Sequence, residues 1–295
     1  MKYCIIFVAG LCLGMLFAPS DVYAQTFRYP DIPDSITQRQ ERVRYMAMHY
    51  WDNADLADST MSFAPKTVLD YIYILTLLSP ADCEKSFEKT LALVSQNSRN
   101  TELLMYWLGR YLHRVQSSFY NDELYLQILD IALRSPLDVS LLAVLQYESD
   151  MASKNRIGQA SEDFSFLCKD GKEKRLYDIE APLLLLMFNN PDCSRCRNAE
   201  RYISKNDTVQ RMIAENRLVI LAVSPESDFE VWQQYSFPNN WMCGYDNRML
   251  VVENRLYEIL QYPSLYLLDK DKRVLVKGFD YSAIASMVSQ YYGKK

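Results

Sequence analysis

The segment LLLLMFNNPDCSRC, residues 183–196, constrains the fold of this chain more than any other. Leu183 to Phe188 are apolar without interruption, and a run of this length with no polar alternation reads as a strand covered on both faces of a sheet. A helix then opens at Cys193 and Cys196, which are separated only by Ser194 and Arg195. Such a pair is a redox centre, a share of a metal site or a structural disulfide, and each answer makes a different protein.

The redox reading has a physical logic. At a helix N-terminus, unpaired backbone N–H groups and the helix dipole stabilise a thiolate, which is the reactive form of cysteine. A second thiol one turn later is close enough to attack a mixed disulfide formed by the first. Cys193 is therefore the candidate nucleophile and Cys196 the candidate resolving thiol. Arg195 and Arg197 add positive charge that lowers the Cys193 pKa further, whereas Asp192 opposes them. A tetrahedral zinc site usually needs a second close pair of Cys or His. Cys168 and Cys243 are single and distant, and His49 and His113 lie in the other half of the chain. No metal is expected, and no cofactor beyond the Cys193–Cys196 pair itself.

The rest of the chain divides by its hydrophobic period. Residues 34–52, 66–78, 81–96, 101–116, 122–135 and 137–155 carry apolar side chains three and four apart and read as helices, the first capped by Asp34 or Ser35. From about residue 156 the pattern changes. Phe164 and Phe166 alternate with polar neighbours, and Lys169 to Lys172 form a turn able to close a hairpin. Continuous apolar strands at 183–188, 217–223 and 264–268 then alternate with helices at the cysteine pair, at 228–235 and at 249–260. A tight turn, DKDKR, joins 264–268 to an antiparallel partner, VLVKGF, before a closing helix. The expected fold class is α+β in two domains, with an all-α domain at 25–155 and an α/β domain with a mixed central sheet at 156–295.

The first 24 residues have a lone Lys2, an apolar run from Cys4 to Ala18 and small residues before Gln25, which reads as a secretory signal cleaved after Ala24. The run is shorter than the roughly 20 residues of a spanning helix. Export, most simply to a periplasm, removes Cys4 and Cys12 and leaves Cys83, Cys168, Cys193, Cys196 and Cys243, an odd number in a compartment that permits disulfides. Cys83 and Cys168 read as small buried hydrophobes, and Cys243 as a loop thiol that could instead relay with the pair. A formal net charge of −5 without a basic run argues against a nucleic-acid partner.

The order of strand, CxxC, helix and a late X-Pro before a strand resembles the thioredoxin-like superfamily, carried by LLLLMFNNPDCSRC and QYPSLYLLDKDKRVLVKGF. The opening IGQASEDFSFLCKDGKEKRLYDI is similar to that of its periplasmic TlpA-type and peroxiredoxin-like branches, so the resemblance spans residues 156–295. It implies a cis peptide bond at Pro263 facing the cysteines, and a Tyr262 backbone that pairs with the substrate chain. It also implies thiol–disulfide exchange with envelope proteins and a redox partner, hence an enzyme. The acid that tunes the pair in such proteins would fall on Met187 or Ala199, neither of which takes a proton, with Glu200 one step beyond the second. MHYWDNADLAD, residues 48–58, resembles the helical domain of unknown function that precedes thioredoxin-like domains in exported proteins of Bacteroides-type bacteria. Two other functions compete: a scaffold whose helical domain captures a partner, and a thiol peroxidase acting at Cys193. Arg195, Asp192, Glu200 and Cys243 are the candidate modulators of the pair.

Overall fold

The computed structural model describes residues 27–60 and 63–293. The signal-like segment, Cys4 and Cys12 lie outside them. Six helices come first: α1 (Arg39–His49), α2 (Pro65–Thr76), α3 (Pro80–Val94), α4 (Ser98–Leu112), α5 (Asp122–Leu133) and α6 (Val139–Ser153). Their starts follow from capping chemistry. The side chains of Ser79, Asn97, Asn121 and Asp138 accept backbone N–H groups of the first turns of α3, α4, α5 and α6, and Pro65 and Pro80 open α2 and α3. The first helix departs from expectation: it begins after Gln38 with no side-chain cap, because Asp34 and Ser35 are spent in a turn closed by Ile36 N–H on the Pro33 carbonyl. The helices share one core, whose aromatic end is built from Phe27, Tyr50, Trp51, Phe63 and Tyr71. The aromatics of MAMHYWDN thus serve packing.

The second half is a seven-stranded mixed sheet. Its strands are β1 (Ser165–Cys168), β2 (Glu173–Arg175), β3 (Leu183–Phe188), β4 (Leu218–Ser224), β5 (Met242–Tyr245), β6 (Ser264–Asp269) and β7 (Val274–Gly278), in the order β2-β1-β5-β4-β3-β6-β7. β3 lies parallel to β4 and antiparallel to β6, with Met187 opposite Ala222 on one side and Leu265 on the other. All six β3 residues are buried. Leu183, Leu185 and Met187 face one core, and Leu184, Leu186 and Phe188 face the other. Gly171, at a φ of +80°, makes the β1–β2 turn, and Lys272, at +60°, sits in the β6–β7 turn. The helices are α7 (Ser194–Ser204), α8 (Asp207–Ala214), α9 (Phe229–Gln234), α10 (Leu250–Glu253) and α11 (Tyr281–Gly293), with α11 packed on α7 and α8.

Two elements differ from the sequence reading. The helix expected over 249–260 is the single turn α10, since Arg255 takes a φ of +50° and the chain then turns Tyr257 into the core between Phe188 and Tyr266, at ring-centroid distances of 4.9 and 5.1 Å. Cys243 lies on a strand, β5, rather than in a loop.

The two halves touch through charged groups. His113 Nδ1 is 2.8 Å from Asp122 Oδ1, and its Nε2 makes an ion-pair contact of 3.0 Å with Glu258 Oε2. Lys277 Nζ from β7 reaches the other Asp122 oxygen at 3.2 Å. Asn155 Nδ2 donates to the Leu256 carbonyl at 2.7 Å, and Lys154 to that of Arg255 at 3.0 Å. Among the described residues no helix is long and apolar enough to cross a membrane.

Candidate active site

Cys193 is the N-cap residue of α7, and its sulfur accepts the Cys196 backbone N–H at 3.3 Å. Across from α7, the Tyr262–Pro263 peptide bond is cis, and the Cys193 thiol donates to the Tyr262 carbonyl at 3.7 Å. Cys193 is half-buried, whereas Cys196 is fully buried beneath it, so only the first sulfur meets solvent. Both are free thiols.

The two sulfurs are set apart electrostatically. Burial pushes the Cys193 thiol up, but hydrogen bonds from Cys196 and from the backbone N–H groups of Cys196 and Arg195, together with the Arg195 charge, bring it below the ordinary cysteine value. Burial drives Cys196 the other way, to about 12, and its contact with Cys193 and the charge of Glu200 add to the rise. The pair therefore contains one thiol that ionises more easily than an ordinary cysteine and one that resists ionisation.

Glu200 is a buried carboxylate next to Ala199, one of the two positions where the resemblance expects an acid. Met187 and Ala199 are both wholly buried apolar side chains. Glu200 lies four residues after Cys196, on the same face of α7, and is also buried. Asn189 Nδ2 donates to its Oε1 at 3.1 Å and Tyr235 Oη to its Oε2 at 2.6 Å, while Ser224 Oγ holds Asn189 at 3.0 Å. Burial raises the Glu200 pKa; the bonds from Tyr235 and Asn189 and the Arg197 charge temper the rise. The sequence names Glu200 as a candidate modulator, and its i, i+4 relation to Cys196 is the signal that singles it out.

The remaining candidates are more peripheral. Arg195 is exposed, and its Nη1 donates to Gln261 Oε1 at 2.9 Å, tying the dipeptide between the cysteines to the Tyr262–Pro263 loop. Asp192 is exposed, with its N–H bound to Asn190 Oδ1 at 2.9 Å. Cys243 faces the same core as the cysteine pair, donates to the Trp241 carbonyl at 3.7 Å and is pushed up by burial to about 12. That makes it a poor nucleophile. Cys168 packs on the opposite face of the sheet. Among the described residues no group of three or more His, Cys, Asp and Glu side chains is arranged to hold a metal ion.

A mixed sheet with a cysteine pair at the start of α7 and a cis-proline loop facing it defines a thioredoxin-like fold, here preceded by a helical domain. Residues 15–155 match the family model described as Domain of unknown function (DUF5106). The chain is similar to a thioredoxin-like protein from Bacteroides caccae ATCC 43185, at 27% identity and a TM-score of 0.72, covering 90% of this chain and 99% of that one, so both halves recur there together. It also matches the C-terminal domain of an uncharacterized protein from Bacteroides fragilis NCTC 9343 (28% identity, TM-score 0.45, 46% of this chain and 98% of that one). A third match is the thioredoxin domain of a thiol-disulfide oxidoreductase from Bacteroides vulgatus (19%, 0.40, 46% and 97%). No curated protein matches the chain.

Proposed function

We propose that this protein is an exported thiol–disulfide oxidoreductase acting on envelope proteins through Cys193 and Cys196. The observation that carries the reading is the divided pair, with a half-buried Cys193 sulfur lowered in pKa at a helix N-terminus beside the Tyr262 carbonyl, above a buried, protonated Cys196. The signal-like segment at residues 1–24 supports export.

The reaction runs in two exchanges. The Cys193 thiolate attacks one sulfur of a client disulfide, forming a bond from Cys193 to that sulfur and expelling the other as a thiolate that takes a proton. Cys196 then loses its proton to Glu200 and attacks the Cys193 sulfur, forming the Cys193–Cys196 disulfide and releasing the second client thiolate. The client gains two electrons and the pair loses two. The same steps reversed oxidise a client, and the potential of the redox partner sets the direction. Tyr262 and Pro263 line the entry, where the Tyr262 backbone pairs with the client chain.

Reduction of insulin disulfides with dithiothreitol as donor tests the proposal. The native protein accelerates it and Cys193→Ser does not. If the two give the same rate as buffer, the proposal fails.

A further inference from the structure

An open groove of about 730 Å³ runs between the helical domain and the Tyr262–Pro263 loop. Arg110, Tyr111, Arg114 and Phe119 line it on the helical side, and Leu260 and Gln261 on the other. Gln261 is also the partner of Arg195, and the next residue carries the carbonyl that meets Cys193, so one wall of the groove is continuous in sequence with the contacts of the reacting sulfur. Its volume suits a few residues of extended polypeptide, at a rise of about 3.3 Å per residue.

The charge of the groove is one-sided. No lining residue is acidic. Arg110 is exposed and has no ion-pair partner among the described residues. Arg114 lies 3.5 Å from Glu258, but that carboxylate is shared with His113. Arg195 donates to the neutral amide of Gln261 and has no carboxylate partner among the described residues. The nearby Glu226 carboxylate accepts from Tyr262 Oη at 2.6 Å and is not part of the lining. On a chain whose net charge is −5, a groove edge carrying Arg110 without an ion-pair partner and Arg114 with a shared one favours a partner of opposite sign. Tyr111, stacked on Trp107 at 5.6 Å and 13°, adds a flat wall that loses little entropy on contact.

We propose that this groove docks a disulfide-bearing polypeptide with acidic residues beside its cysteine, and that Arg110 selects for those residues. The proposal rests on the oxidoreductase reading and assigns the helical domain a share in client choice.

The test uses the full chain and three short peptides. Each carries one cysteine as a mixed disulfide with 2-mercaptoethanol, flanked by Glu, Gln or Lys. At low salt the Glu peptide exchanges about fivefold faster than the Gln peptide, and the Lys peptide more slowly than both. The ratio shrinks toward one as salt rises. In Arg110→Glu the preference for Glu over Gln is lost. Equal rates for the three peptides in the native protein, or an acidic preference that survives Arg110→Glu, overturn the client assignment alone. Absence of exchange with every peptide and with bis(2-hydroxyethyl) disulfide overturns the oxidoreductase reading, and the client assignment with it.

Discussion

In the proposed mechanism Cys196, pushed up to about 12 by burial, must lose its proton for the second exchange, and the buried Glu200, whose charge acts on it, is the proposed acceptor. In Glu200→Gln the release step, followed by stopped flow from a preformed mixed disulfide on Cys193, slows by about tenfold to a hundredfold near neutral pH, and its rate then climbs with pH as solvent base takes over. An unchanged rate and pH profile would reduce Glu200 to packing. The cysteine pair and Pro263 were legible in the sequence because their spacing is a motif. Glu200 was legible only as a candidate modulator, one step from the position where the resemblance places an acid, because its burial and its partners, Asn189 and Tyr235, are brought in by other segments. The scaffold alternative draws its force from a missing acid at Met187 and Ala199, and the buried Glu200, whose charge acts on Cys196, counts against it.

At the scale of elements, β3 was readable to the residue because six consecutive apolar side chains have one stable environment, the middle of a sheet. The short β5, within WMCGY, carries no such pattern. Pairing with β1 and β4 makes it a strand. The false helix over 249–260 had apolar spacing on its side, but the φ of Arg255 and the aromatic packing of Tyr257 outweigh local periodicity. At Gly244 of β5, an added Cβ would stand 2.7 Å from Phe166 Cδ2 and 3.2 Å from Phe166 Cβ. Gly244→Ala should therefore cost about 1–3 kcal/mol by overpacking, measured by urea unfolding. No loss would mean that Phe166 moves aside freely.

For the whole molecule, the junction of the halves depends on His113. Burial lowers its pKa, but the Asp122 hydrogen bond and the Glu258 carboxylate outweigh this and raise it to about 9. Because the folded value lies above the unfolded one of 6.5, its stabilisation is complete below the unfolded value and is lost as pH rises through about 9. Asp122, Glu258 and Tyr125 face it, and Lys277, Arg114, Tyr120 and Tyr266 act on those two carboxylates, so the cluster draws on both halves. Urea unfolding at about pH 6 and about pH 9 should show the native protein losing a few kcal/mol more than His113→Gln across that window. Equal losses would remove His113 from the junction's energetics. No local pattern announces a contact between His113 and Glu258, so this coupling was invisible in the sequence. The central claim, that Cys193 is the attacking sulfur and Cys196 the releasing one, is tested most directly by mixing Cys196→Ser with a disulfide client and mapping the adduct by mass spectrometry. The account predicts a stable mixed disulfide at Cys193 alone; an adduct at Cys168 or Cys243, or none, would contradict it.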